Sequence, residues 1–215
     1  MAQLGKMMKT VALRQAETKV ASETTENNQL RHNGTAYKNN RLFTRQGTAD
    51  SQGFSSSNLC RVGDEIVARG IKFKWWLSNK ADRPNVMYNI YVFMYNTLET
   101  PTDSTFWRGT DGTGATMNRM IDQPNPERIK VLKKLTVKPG AQFYEPAPDG
   151  KEHSYFRECW LPLNNKKIVY RRDSTGVPKN QDIGFAIVAY DSYGTLVSDN
   201  IASYAYSTTL YFKDP

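Results

Sequence analysis

The chain's plainest signal is alternation of apolar and polar residues in its second half. In "DEIVARGIKFKWWLS", residues 64–78, the order from Ile71 sets Ile71, Phe73, Trp75 and Leu77 against Lys72, Lys74 and Trp76. Successive strand side chains point to opposite faces, so one set enters a core and the other faces out. Gly70 marks a bulge or bend. "VMYNIYVFMYN", residues 86–96, is apolar on both sides, which predicts a strand covered twice or used at an interface. In "RIKVLKKLTVKPG", residues 128–140, Ile129, Val131, Leu135 and Val137 alternate with Arg128, Lys130, Lys134 and Lys138; Lys133 alone breaks the apolar set. Further strands are expected at "HSYFRECWLPLN", "KKIVYRR", "DIGFAIVAYD" and "SYAYSTTLYFKDP". Residues 97–127, rich in Gly, Thr and Pro, read as a long loop region. Seven or eight strands with long connections, and no helix-period segment of ten residues, predict an all-β, antiparallel sandwich.

Residues 1–57 differ. They are polar and carry almost no strand pattern, so they read as an N-terminal arm ahead of a β domain over 58–215. Leu4, Met7, Met8 and Val11 share one helical face, which predicts a short helix within 4–19. Alone in water it is marginal, and it orders on a partner. Residues 1–45 hold eight basic and three acidic residues, a net +5 of the chain's +8. A polyanion is the partner this balance implies, with Lys6, Lys9, Arg14 and Lys19 as contacts.

The remaining composition narrows the chemistry. The 215 residues are enough for one sizeable core. Cys60 and Cys159 form neither a disulfide framework nor a zinc site and read as buried free thiols in a reducing, intracellular compartment. No apolar run is long enough to span a membrane, and "MAQLGKMMKTVALRQ" lacks a secretory signal's apolar core. The Asn33-Gly34-Thr35 sequon is therefore expected to stay unmodified. The only histidines, His32 and His153, read as surface residues, too few for a cupin-like metal site. No G-x-S-x-G occurs, and "GTDGTGATM" lacks the Lys-Ser/Thr of a phosphate loop. The chain is not expected to be an enzyme and needs no cofactor. Asp191 and Asp199, flanking "SYGTLVS", are candidates only for calcium at an interface.

The ordered series "VGDEIVARGIKFKWWLS", "NVMYNIYVFMYN", "ERIKVLKKLTVKPG", "DIGFAIVAYD" and "SYAYSTTLYFKD" resembles the single jelly-roll coat proteins of small icosahedral viruses. These are the satellite tobacco necrosis virus type and circular single-stranded DNA viruses that encode a replication initiator. The arm is sparser in arginine than circovirus arms. The resemblance implies an eight-stranded sandwich of two four-stranded sheets and about sixty copies closing into a T=1 shell. It also implies a packaged single-stranded genome, DNA favoured over RNA. The protein would reside in the virion, and in the host nucleus or cytoplasm during assembly.

In that topology the strand at 64–78 and the strand at 127–138 share a sheet. Lys72, Lys74, Arg128, Lys130, Lys134 and Lys138 would then form one basic patch facing the genome. Trp76 would stack on unpaired bases if exposed. Sixty arms supply on the order of 300 positive charges and sixty chains roughly 480, so counterions must complete neutralisation of a longer genome. "KKIVYRR", with Lys166, Lys167, Arg171 and Arg172, is a second basic cluster, a candidate contact for a glycan or receptor on the host cell. The competing readings are a lectin-like sandwich with a basic groove for glycans, and an OB-type single-strand binder, which the chain length fits poorly.

Overall fold

The computed structural model describes residues 18–46, 60–109, 118–138, 154–171, 176–193 and 195–214. Its strands, in chain order, are β1 (Lys19–Arg31), β2 (Thr35–Lys38), β3 (Arg45–Gln46), β4 (Cys60–Arg61), β5 (Glu65–Asn79), β6 (Val86–Asn96), β7 (Ile129–Val137), β8 (Ser154–Val169), β9 (Gln181–Asp191) and β10 (Asn200–Lys213). Among the described residues one short helix, α1 (Asp103–Phe106), precedes β7. The first sheet has the order β1-β10-β5-β8 and the second β2-β9-β6-β7, with all pairs antiparallel. The short parallel pair β3–β4 stands apart. The eight strands of these two sheets form a jelly roll, as expected.

The alternation in β5 places its residues as expected. Ile71, Phe73, Trp75 and Leu77 are wholly buried between the sheets. Phe73 stacks on Trp75 at 5.4 Å, Trp75 meets Phe185 of β9 edge-on at 5.6 Å, and Phe185 meets Tyr206 of β10 at 5.0 Å. A chain of rings therefore links both sheets through the core. The register of β5 against both neighbours shifts between Ala68 and Gly70, so the bulge falls where the glycine marked it.

β6 is buried on both sides for a specific reason. Val86, Tyr88, Ile90 and Val92 enter the core between the sheets. Tyr91, Phe93 and Tyr95 enter a second apolar cluster with Phe106 and Trp107. The 97–127 segment thus supplies residues that roof the outside of the second sheet. Phe106 packs on Phe93 at 5.0 Å, and Trp107 meets Tyr91 at 5.6 Å.

Three expectations are corrected. Residues 19–38, given to the arm by composition, form β1 and β2. β1 is an edge strand that buries only Ala21, Leu30 and little else. Its outward residues pair by hydroxyl contacts, Ser22 with Thr209 and Thr24 with Ser207, so apolar alternation is not required of it. Lys19, the end of the expected helix, opens this strand; residues 4–17 lie outside the described residues. The segments "HSYFRECWLPLN" and "KKIVYRR" make one strand, β8, with Asn164 and Asn165 at positive φ where three residues oppose Arg69. Finally, β5 and β7 belong to different sheets.

Candidate nucleic-acid interface

The separation of β5 from β7 divides the expected basic patch. Lys72 and Lys74 lie on the outer face of the first sheet, opposite Trp160 and Glu158 of β8. Lys72 pairs with Glu158 at 3.2 Å. Lys74 is exposed and has no ion pair among the described residues. The β7 residues stand on the second sheet, some on each of its faces.

A bulge explains that division. β7 pairs Lys133 with Val92 but Val131 with Phe93, leaving Leu132 as the extra residue. Ile129 and Val131 oppose Tyr95 and Phe93, whose rings face the roof, whereas Leu135 and Val137 oppose the core residues Ile90 and Tyr88. The side-chain frame therefore flips at Leu132. Lys134, opposite Tyr91, stays on the roof side, its ammonium 5.2 Å from the Tyr91 ring centroid. Lys130 opposes Met94 and turns the other way, toward the gap between the sheets. Arg128 pairs with Glu99 at 3.2 Å. Lys138 follows the strand end and is exposed.

The cluster at 166–172 is tied into the molecule. The Lys166 ammonium reaches Met94 Sδ at 4.0 Å and Gln181 Oε1 at 3.5 Å, beside the residue that faces Lys130. Lys167 pairs with Glu65 at 2.6 Å, and Arg171 donates to Thr97 Oγ1 at 3.3 Å. Lys130 and Lys166, expected in two different sites, both neighbour Met94. Arg172, Lys6, Lys9, Arg14 and His153 lie outside the described residues. Lys19 binds Asp214 at 2.5 Å within the fold instead of extending from it.

The acids proposed for calcium are brought together around a guanidinium. Arg83 lies 3.6 Å from both Asp191 and Asp199. Asp191 also accepts from the Tyr193 N–H and the Thr195 hydroxyl. His32, expected at the surface, is buried; its Nδ1 accepts from the Asp191 N–H at 3.2 Å and its ring lies 4.6 Å from that of Tyr190. Burial, and secondarily Arg83, lowers its pKa and favours the neutral ring that this bond needs. Asn33 of the sequon is also buried, its Oδ1 accepting from the Arg119 N–H at 2.7 Å. Cys60 and Cys159 are buried free thiols, as expected.

Sequence reasoning missed the aromatic residues beside Lys72 and Lys74. Phe156, Trp160 and Tyr211 reach the same outer face from β8 and β10. The alternation of "HSYFRECWLPLN" held the signal, because Phe156, Glu158 and Trp160 share one side.

No protein-family model matches the chain, and no curated protein matches it. Two solved viral structures resemble it. A chain of the T13 IBDV viral particle aligns with 92% of this chain and 36% of its own, at 11% identity and a TM-score of 0.30. This chain thus spans about a third of that protein's length. The BFDV capsid protein, solved as a 60-mer, aligns over 93% and 96% of the two chains, at 12% identity and a TM-score of 0.20. At these scores neither likeness decides what this chain does; its own strand order is the stronger observation.

Proposed function

We propose that this chain is a viral coat protein that closes into a small icosahedral shell around a single-stranded genome. The observation that carries the reading is the strand order, β1-β10-β5-β8 over β2-β9-β6-β7. Double-sheet jelly rolls of this kind serve viral capsids, lectins and cupins. A chain with two histidines in all, one of them buried, is poorly equipped as a cupin. Net charge +8 suits a polyanion held by its phosphates, independent of sequence and sensitive to salt. The basic N-terminal residues and the outer face of the first sheet are the contacts in this reading, and the shell is of about sixty copies with DNA inside.

The test is the mass of the purified full chain by light scattering, with absorbance at 260 and 280 nm before and after nuclease. Sixty copies of a 24.5 kDa chain give roughly 1.5 MDa, with nuclease-sensitive content released only when high salt opens the particle. A stable monomer or trimer that retains no nucleic acid and binds sulfated glycans would contradict the reading and favour a lectin.

A further inference from the structure

The outer face of the first sheet carries two aromatic pairs with lysines between them. Trp76 of β5 and Phe156 of β8 oppose each other in register, with ring centroids 6.4 Å apart. Trp160 of β8 and Tyr211 of β10 form the second pair at 5.5 Å. Phe156 and Trp160 are four positions apart along β8, about 13 Å at ~3.3 Å per residue. Lys72 and Lys74 fall within that interval on β5, and Glu158, the acid of this stretch, is engaged by Lys72.

These rings are exposed yet held. Trp76, Phe156 and Trp160 keep 51%, 49% and 47% of their surface in contact with solvent. The Trp76 indole N–H donates to Ser78 Oγ at 3.0 Å, which fixes the ring's tilt. Trp160 lies over Gly70, where an added Cβ would come within 2.3 Å of the indole. Gly70 therefore serves the bulge and also seats the ring against the sheet. Three half-exposed large aromatics on one sheet face are costly to leave in water, and fixing their orientation lowers the entropy that a stacking ligand must overcome.

We propose that this face is a stacking platform for unpaired nucleobases, with Trp76–Phe156 and Trp160–Tyr211 as two base seats and Lys74 contacting the intervening phosphates. The assignment rests on the coat-protein reading and sharpens it: the single strand is held by its bases as well as its charge. Every base has a π-face, so such stacking tolerates any sequence. Charge selects this occupant over a second protein copy, since an exposed lysine without an acid partner sits between the rings.

Intrinsic tryptophan fluorescence of the full chain tests it, because the other two tryptophans, Trp75 and Trp107, are buried. The probes are oligothymidylate and an abasic strand of equal length, titrated at fixed salt. Oligothymidylate should quench the emission and bind about 10-fold or more tightly than the abasic strand. Trp76→Leu and Trp160→Leu, each melting like the parent, should each weaken oligothymidylate binding about 10-fold and leave abasic binding unchanged. Equal affinity for both strands without quenching would overturn the platform while leaving a phosphate-led coat protein intact. Variants that bind oligothymidylate normally but no longer form particles would make the face a subunit contact and overturn it too. Failure of either strand to bind at low salt would remove the coat-protein reading along with it.

Discussion

Asp182 is completely buried at the start of β9. Oδ1 accepts from the Leu42 and Ile183 N–H groups at 3.1 and 2.7 Å, and Oδ2 accepts from the Tyr95 hydroxyl at 3.3 Å. Burial outweighs these bonds and pushes its pKa up to about 6 from 3.8. The folded state thus binds a proton more tightly than the unfolded chain does, so this carboxyl contributes most stability below pH 4. That contribution is lost as pH rises to about 6, on the order of 2–3 kcal/mol. Asp182→Asn keeps the Oδ1 acceptor and lets its amide donate to Tyr95. Chemical denaturation from pH 4 to 7 should show the parent losing stability relative to the variant as pH rises; parallel curves would refute the assignment. At this scale the sequence was legible where a residue's role is local. Ile71 to Leu77 and Gly70 announced themselves by alternation and by the absence of a side chain. His32 did not, because Tyr190 and the Asp191 N–H, which bury and bind it, lie more than 150 residues away in the chain.

Among elements, β6 was readable and β7 only in part. The two-sided apolar character of β6 follows from a core on one side and Phe106 and Trp107 on the other. For β7 the single local sign of its bulge was Lys133, the cation that interrupts the apolar frame. The bulge sends Lys130 and Lys134 to opposite faces, and this has a thermodynamic consequence. Lys134 lies against the buried Tyr91 ring, and Lys134→Ala should lower stability by about 0.5–1 kcal/mol through loss of that cation–π contact. Lys130→Ala should stay within about 0.5 kcal/mol of the parent. Thermal melts of the two variants decide it, and equal losses would mean the lysines share a face after all. β1 was unreadable for a different reason. An edge strand joined to its neighbour by Ser and Thr hydroxyls has the composition of a linker.

For the molecule as a whole, strand number and turn spacing were enough to give the sandwich class, but not which strands share a sheet. Eight strands wound into a jelly roll pass repeatedly between sheets, and a pattern along the chain does not say where each crossing falls. That is why Lys72 and Lys74 parted from the β7 cations and gained Trp160, Phe156 and Tyr211 as neighbours. The net charge is +8, of which residues 1–45 carry +5. In the proposed shell the face with exposed rings and Lys74 is turned toward the genome, and the roof supplied by Phe106 and Trp107 away from it.

Electron cryomicroscopy of particles assembled from the full chain tests that arrangement most directly. The account predicts a closed shell with the β1-β10-β5-β8 sheet lining the lumen and density for single-stranded nucleic acid against Trp76 and Trp160. A shell with that sheet outermost, or a preparation that yields only discrete small oligomers, would contradict it.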